Sequence, residues 1–492
     1  MRSPRNRQTM EKALERKAAI ASGEADLAAK QHAAGKLTAR ERVDKLFDPG
    51  SFVELFALAS DGGIGEGVVT GYGTVDGRPV YAFAQDATVK AGAVTAAHAS
   101  KIVRTLNLAG KCGAPIVGMY DSAGARLDEG SRSLEAYGEL YANIARLSGV
   151  VPMIGVIAGD CGGAASALPA LADIVIAVDA HVRWAIVGPA AAGEELGERI
   201  DAKELTGAAA HARRGGISFV CAAEDEAIAK ARAVLALLPD NNLECAPDGA
   251  ETGFDRKMAS VDSDDAQAIV LDLLDAGSVM PLSAEYATDM MTVLGRIGGQ
   301  SAGVIAASGF IGGNECRKAA RFIRLCDCFN IPVIELIDVS GLSATRADMQ
   351  TESIKAAAQL AYASAEATVP VVRVVTGDAI GAGYSVFGGR LTADITYAWP
   401  GAVISPISPE SAVALYDKDE IEASDGDPKA ERARLAERYA SEKADGVAAA
   451  VNALVDDVID PADTRRLVIA ALGMLESKRD ARPPKKHGNL PL

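Results

Sequence analysis

The chain has 492 residues, 49% of them apolar and 24% charged, which sets aside the disordered, fibrous and small disulfide-stapled classes. Its 50 Lys/Arg against 66 Asp/Glu leave a net charge of −16, which argues against a protein that coats nucleic acid. An odd count of seven cysteines and an N-terminus without an apolar signal core point to a reducing cytoplasm, and no uninterrupted apolar run reaches membrane-spanning length.

Residues 1–45 are predicted to be a helical arm, with 11 Lys/Arg against 6 Asp/Glu. Such an arm is either simply solvated or meets an anionic ligand or partner. Asp48-Pro-Gly-Ser51 then opens a domain, followed by a turn between apolar strands at Gly71 to Gly77 and a helix carrying Lys101, Arg104 and Leu108. A buried strand runs from Pro115 to Asp121 and into Gly124. A second, Val151 to Asp160, ends in Gly159-Asp-Cys-Gly-Gly-Ala-Ala165. The same order returns about 217 to 227 residues later: Asp275-Ala-Gly-Ser278, a turn at Gly295 to Gly299, and Lys318, Arg321, Leu325 and Pro332. A strand into Asp338 and Gly341 follows, and a last strand ends in Gly377-Asp-Ala-Ile-Gly-Ala-Gly383. Order and offset held together over so many elements mark an internal duplication. Each copy alternates helix, β-branched strand and Gly-rich turn, so two homologous α/β domains are expected, 46–250 and 251–492, joined through the polar, turn-rich stretch 243–253.

In both copies a strand stops in small residues just before a helix. Such a turn presents backbone N–H groups without partners and leaves room for a ligand oxygen to reach them, which is the build of an oxyanion hole. Close packing of helix on strand selects the same small residues; the repetition of the turn in both copies favours the hole. Gly159-Asp-Cys-Gly-Gly163 also resembles the nucleophile turn of chymotrypsin-like cysteine peptidases, but the second copy has Ala379 where Cys161 stands, and the Ala-rich α/β pattern is not that of a double β-barrel. Cys326 and Cys328 point apart on a helix, and the five histidines have no metal-ligand spacing, so no metal is expected. The motifs of serine hydrolases, P-loop ATPases and dinucleotide-binding dehydrogenases are missing.

Several stretches together are similar to the carboxyltransferase subunit of biotin-dependent acyl-CoA carboxylases: Gln31-His-Ala-Ala-Gly-Lys-Leu-Thr-Ala-Arg-Glu-Arg42, Tyr81-Ala-Phe-Ala-Gln-Asp86, Asp121-Ser-Ala-Gly-Ala-Arg-Leu-Asp-Glu-Gly130, Lys318-Ala-Ala-Arg-Phe-Ile-Arg324, Tyr397-Ala-Trp-Pro400 and Asp457 to Arg465. The resemblance is nearest to propionyl-CoA carboxylase beta chains and to the alpha subunit of sodium-pumping methylmalonyl-CoA decarboxylase. It implies two tandem crotonase-like domains of class α/β. It further implies transfer of a carboxyl group between carboxybiotin on a carrier protein and the α-carbon of a short acyl-CoA, through enolates held in two backbone holes. On the acyl-CoA side the donors would be Gly163 and Ala164, with Gly124, Ala125, Arg126 and Gly162 lining the site. On the biotin side they would be Ala382 and Gly383, with Gly341, Gly381 and Tyr384.

The chain carries no Met-Lys-Met for biotin attachment, so a separate biotin carboxyl carrier protein is implied, with a biotin carboxylase or membrane decarboxylase subunits as further partners. A homo-oligomer is implied too, a trimer of dimers, each active site combining the first domain of one chain with the second of another. The chain departs from the family pattern at Ser340-Gly-Leu342, at Thr351 to Ala357 and at Ser166-Ala167, so remodelled pockets are expected. Decarboxylation, the reverse direction, and an inactive crotonase-fold scaffold are the other readings.

Overall fold

The computed structural model describes residues 4–23, 25–60, 65–250, 252–262, 264–350, 352–424 and 427–491. Residues 1–3 and Glu24 of the expected arm, Glu251 at the expected start of the second domain, and Thr351 of the divergent segment lie outside the described residues. Packing divides the chain into two compact units, Met1–Cys245 and Ala246–Leu492.

The first unit begins with the helices Pro4–Ser22, Ala25–Ala33 and Ala39–Leu46. The first is exposed along nearly its whole length, as an arm should be. The third is core, because Ala39, Arg42, Val43 and Leu46 fall on one helical face and are buried. Thr38 starts it with a capping box, its hydroxyl accepting from Glu41 N while Glu41 Oε2 accepts from Thr38 N at 2.7 Å. A boundary at 45/46 would therefore cut through a helix that belongs to the packed unit.

Eight strands follow: β1 (Val53–Leu55), β2 (Val68–Val75), β3 (Arg78–Gln85), β4 (Ile116–Ser122), β5 (Met153–Gly162), β6 (Ile174–Val178), β7 (Arg183–Ala185) and β8 (Phe219–Cys221). Their spatial order is β1-β2-β3-β4-β5-β6-β8, with β7 beside β5. The first three are antiparallel and the rest parallel. β4 is buried at every position, as a parallel strand covered on both faces must be.

The second unit repeats the plan with β9 (Met280–Leu282), β10 (Met290–Ile297), β11 (Gln300–Ile311), β12 (Val333–Leu342), β13 (Val371–Ile380), β14 (Ile395–Ala398), β15 (Val403–Ser405) and β16 (Asp457–Val458). The order is β16-β14-β13-β12-β11-β10-β9, with β15 beside β13.

The duplication extends to side-chain chemistry. Asp76-Gly77 and Gly298-Gly299 are two-residue hairpin turns with left-handed backbone at both positions. In each, an aspartate from the motif that opens the copy accepts both turn N–H groups: Asp48 at 3.0 and 2.9 Å, Asp275 at 3.0 and 2.8 Å. An arginine pairs with each carboxylate, Arg232 with Asp48 at 3.0 Å and Arg465 with Asp275 at 2.6 Å. The helices Ala96–Cys112 and Gly313–Cys328 bury Lys101 and Lys318, whose Nζ atoms donate to Val68 O and Tyr286 O, both at 2.6 Å. Burial pushes both ammonium groups down to about 8.

Both sheets also shift register where the strand that ends in the glycine turn meets its inner neighbour, between Tyr120 and Ser122 and between Ile337 and Val339. The residues at the shift are Asp121 and Asp338. Their carboxylates occupy the space where a Cβ on Gly159 or Gly377 would stand, 2.0 and 2.2 Å away, which is why the strand-end motif begins with glycine in both copies. Among the described residues no helix is long and apolar enough to cross a membrane.

Candidate active site

β5 ends at Gly162, and Gly163 turns the chain with φ +59° into the tight helical turn Gly163–Ser166. β13 ends at Ile380, and Gly381 does the same with φ +56° into Gly381–Ser385. The two left-handed glycines are separated by the same offset that relates the strands before them. A left-handed residue directly after a strand strains any side chain with a Cβ, so glycine is required at both. The first N–H groups of each turn have no partner within the turn. Gly163 is exposed, and a Cβ there would meet nothing within 4 Å. Ala382, the counterpart of Ala164, is exposed as well.

The carbonyl side of the first turn is held by four side chains. Ser166 Oγ donates to Gly163 O at 2.7 Å, the Tyr141 hydroxyl to Ala164 O, Cys161 Sγ to Ala165 O at 3.3 Å, and Trp184 Nε1 to Ser166 O at 2.7 Å. In a planar trans peptide each N–H points away from the preceding C=O. Bonding these carbonyls on the packed side therefore aims the N–H groups of the turn the other way. Cys161 serves here as a weak donor: it is fully buried, and burial pushes its thiol well above the ordinary range. It has no access to a substrate as a thiolate.

Of the expected lining, Gly162 directly precedes the first turn and the structure brings Gly124 to it. A Cβ on Gly124 would stand 3.2 Å from Gly162 O, so the loop after β4 touches the end of β5. Ser122 Oγ accepts from Gly124 N at 3.1 Å, and Ala125 forms a parallel bridge with Val94. The Arg126 side chain pairs with Asp128 at 2.5 Å. In the second unit a Cβ on Gly383 would stand 2.7 Å from Gly341 C and 2.6 Å from Val339 Cγ1. Glycine at 383 is thus required by packing, and its counterpart Ala165 is likewise buried. The strand register pairs Gly163 with Gly381 and Ala164 with Ala382, one residue earlier than the donor pair 382–383 expected from the sequence.

Tyr384 lies with its ring 5.6 Å from the buried guanidinium of Arg373. Arg373 bonds Glu335 at 2.7 Å, Phe387 O at 2.8 Å and Gly389 O at 2.6 Å, tying the chain that follows the second turn to the sheet. The counterparts of Glu335 and Arg373 in the first unit are Gly118 and Gly155, cross-strand partners in the same way. A charged residue amid Val-Val-Arg-Val-Val was the sequence signal for this clamp; Tyr141 and Trp184 left none.

The strand-end carboxylates differ between units. Asp121 is bound by Arg42 at 2.9 Å and Lys36 at 2.7 Å, and Arg42 also pairs with Glu224 at 2.6 Å. Asp338 accepts from Asp378 N at 2.7 Å, and burial raises its carboxyl above the usual range. Among the described residues no group of three or more His, Cys, Asp or Glu could hold a metal ion.

Residues 30–490 match the family model described as carboxyl transferase domain. The chain is 42% identical over 492 residues to the methylmalonyl-CoA decarboxylase subunit alpha of Veillonella parvula, covering 94% of each chain. It is 39% identical to the carboxyltransferase subunit of propionyl-CoA carboxylase from Haloferax mediterranei, over 97% of this chain and 98% of that one. The solved transcarboxylase 12S subunit, a hexamer assembly with methylmalonyl-coenzyme A and methylmalonic acid bound, superposes with TM-score 0.93 at 38% identity, covering 98% of both chains. The duplicated parallel-sheet units are two crotonase-like domains. The chain belongs to the carboxyl transferase domain family, and it is a biotin-dependent acyl-CoA carboxyltransferase.

Proposed function

We propose that the chain moves a carboxyl group between biotin on a separate carrier protein and the α-carbon of a short acyl-CoA, with propionyl-CoA and methylmalonyl-CoA as the substrate pair. The observation that carries the reading is the repeated strand-end turn, Gly163 in one unit and Gly381 in the other. The names of the relatives, propionyl-CoA carboxylase and methylmalonyl-CoA decarboxylase, support the substrate class.

The thioester oxygen sits on the N–H groups near Gly163 and Ala164, between Gly124, Ala125, Arg126 and Gly162. The second turn, with N–H groups near Ala382 and Gly383 and with Gly341, Gly381 and Tyr384 around them, holds the biotin ureido oxygen. The open space over Gly163 and the exposure of Ala382 fit such oxygens. When bound, biotin supplies the carboxyl group and the base that takes the α-proton. The first turn stabilises the negative charge that grows on the thioester oxygen as that proton leaves, and each donor is worth about 2.7–4 kcal/mol of barrier. No side-chain nucleophile is needed, which agrees with the buried, protonated Cys161.

The chain works as a homo-oligomer in the cytoplasm, a trimer of dimers, alongside a biotin carboxyl carrier protein and a biotin carboxylase. Its seven free thiols suit a reducing compartment. The similarity to the Veillonella parvula subunit favours a second reading, the alpha subunit of a decarboxylase with membrane partners. Which partners co-purify, a biotin carboxylase or membrane subunits, separates the two.

The test is to supply methylmalonyl-, malonyl- and glutaconyl-CoA with biotin as acceptor. Methylmalonyl-CoA should lose its carboxyl group fastest, and no biotin-dependent loss from any of them would refute the reading. Ala164→Pro and Ala382→Pro each delete one N–H, so turnover should fall at least about 100-fold with the circular dichroism unchanged. Wild-type rates in both would remove the two holes from the mechanism.

A further inference from the structure

Arg373 stands in β13 between two pairs of valines, wholly buried beside the equally buried Glu335. A buried ion pair is weak evidence of stabilisation, because apolar residues of like volume commonly serve as well. The first unit shows as much, since its sheet closes with Gly118 and Gly155 at these two places. The pair therefore needs a reason other than stability.

Two further differences between the units accompany it. The first lies in the connection that follows the glycine turn. Asp173 and Asp394 close the equivalent connections, each carboxylate accepting from the first N–H of the strand before the turn, Met153 N and Val371 N, at 2.8 Å. Asp160 and Asp173 are 13 residues apart, whereas Asp378 and Asp394 are 16 apart. The shorter connection presses on the sheet: a Cβ on Gly155 would stand 3.4 Å from Pro169 Cβ and 3.5 Å from Ala172 Cβ. The longer one wraps the Arg373 guanidinium instead. Phe387 O, Gly389 O and Thr392 Oγ1 accept from it at 2.8, 2.6 and 3.2 Å, with Gly388 and Gly389 both left-handed. The second difference lies in the supports of the turn itself. Cys161 and Trp184, cross-strand partners, both donate to carbonyls of the first turn; the second unit has Ala379 and Ile404 at these places, and neither side chain can donate.

The wrapped segment is continuous with the second turn. Phe387, whose carbonyl Arg373 holds, donates its own N–H to Tyr384 O at 3.1 Å, and Val386 N donates to Ala382 O at 3.1 Å. The Tyr384 ring centre lies 5.6 Å from the guanidinium, within reach of a cation–π contact. We propose that Arg373 is a positioning residue for the second turn, fixing the Gly381–Ser385 backbone and the Tyr384 ring from the sheet side, in place of the donors that Cys161 and Trp184 give the first. The proposal rests on the reading that the second turn holds the biotin ureido oxygen. Arginine suits the task because its planar fork reaches a carboxylate and several carbonyls at once, which the point charge of an ammonium group does less well.

The test removes the pair as a whole, because loss of Arg373 alone would leave Glu335 buried and unpaired. In Arg373→Met/Glu335→Leu the circular dichroism should be unchanged, while KM for the biotin substrate rises at least tenfold and KM for propionyl-CoA stays within twofold of wild type. Hydrogen exchange followed by mass spectrometry reads the same effect without turnover. The peptide 381–392 should exchange at least tenfold faster in the double variant, and the peptide 163–172 at the wild-type rate. Arg373→Lys, which keeps the ion pair and loses the fork, should show at least a threefold change in the same two quantities, and it carries the test by itself if the double variant does not fold. Unchanged exchange of 381–392, an equal rise in both KM values, or a lysine variant equal to wild type overturns the proposal. Faster exchange with a rise confined to the KM for propionyl-CoA would uphold Arg373 as the support of the turn and refute the placing of biotin there. A wild type without biotin-dependent transfer would defeat the functional reading, and the exchange rates would then decide the role of Arg373 alone.

Discussion

Cys161 and Gly163 stand two residues apart and contribute in opposite senses, one by being shut away and the other by being open. The Cys161 thiol is held protonated by burial and bonds Ala165 O, and the second unit manages with Ala379 in its place. Cys161→Ala should keep carboxyl transfer within about tenfold of wild type, less than roughly 1.4 kcal/mol of barrier. A loss of four orders of magnitude with intact fold, or labelling of Cys161 by a substrate-derived acyl group, would restore covalent catalysis as the mechanism. His98 illustrates burial acting on stability. It lies wholly inside, 3.4 Å from Gln85 Nε2, and burial pushes its ring down to about 3 from 6.5. Between those values the unfolded chain binds a proton that the folded ring refuses, so stability falls as pH drops from about 6.5 toward 3. Melting temperatures of wild type and His98→Gln should therefore converge, or reverse, on acidification across that window. A constant gap between them would show that His98 does not titrate in this way.

Among the elements, the turn Gly163–Ser166 has its carbonyls bonded by donors on the helix Ser131–Leu147, on β5 and on β7, and by one within the turn itself. Tyr141 is the donor that can be removed with least disturbance, since phenylalanine keeps the ring. One lost hydrogen bond is worth about 1 kcal/mol. Tyr141→Phe should lower kcat about fivefold with the KM for the biotin substrate unchanged, because that substrate's proposed hole is in the other unit. Steady-state kinetics with each substrate varied would check this, and an equal effect on both KM values would mark Tyr141 as merely structural. The second turn has Ser385 Oγ on Gly381 O, and the chain after it is tied to the sheet by the buried Arg373–Glu335 pair, where the first unit has Gly155 and Gly118. Duplicated elements have thus kept their backbone geometry while exchanging the side chains that support it.

For the whole molecule, the trimer of dimers proposed above is a statement about mass and about the activity of the isolated chain. The transcarboxylase 12S relative is a hexamer assembly. Light scattering should report about six times 50.7 kDa. A monomer that retains full activity at nanomolar concentration would contradict shared sites.

The duplication itself was legible in the sequence, because Asp48 and Asp275, Lys101 and Lys318, and the two Gly-Asp strand ends recur at nearly constant offset, and each meets a need of its own unit. A left-handed turn demands glycine, a hairpin's free N–H groups demand an acceptor, and a strand covered on both faces demands apolar residues throughout. Such requirements are met inside each copy, so they recur at the same spacing when the unit is duplicated. What only the tertiary structure decided involves partners far apart in the chain. Arg42 meets Asp121 and Glu224 across 79 and 182 residues, which turns the expected last turn of a solvated arm into core. Gly383 is small because Gly341 presses on it, and the first turn faces outward because Tyr141 and Trp184 hold its carbonyls. No spacing rule encodes these contacts, since closing a loop constrains where the two ends meet but leaves the sequence separation between them free.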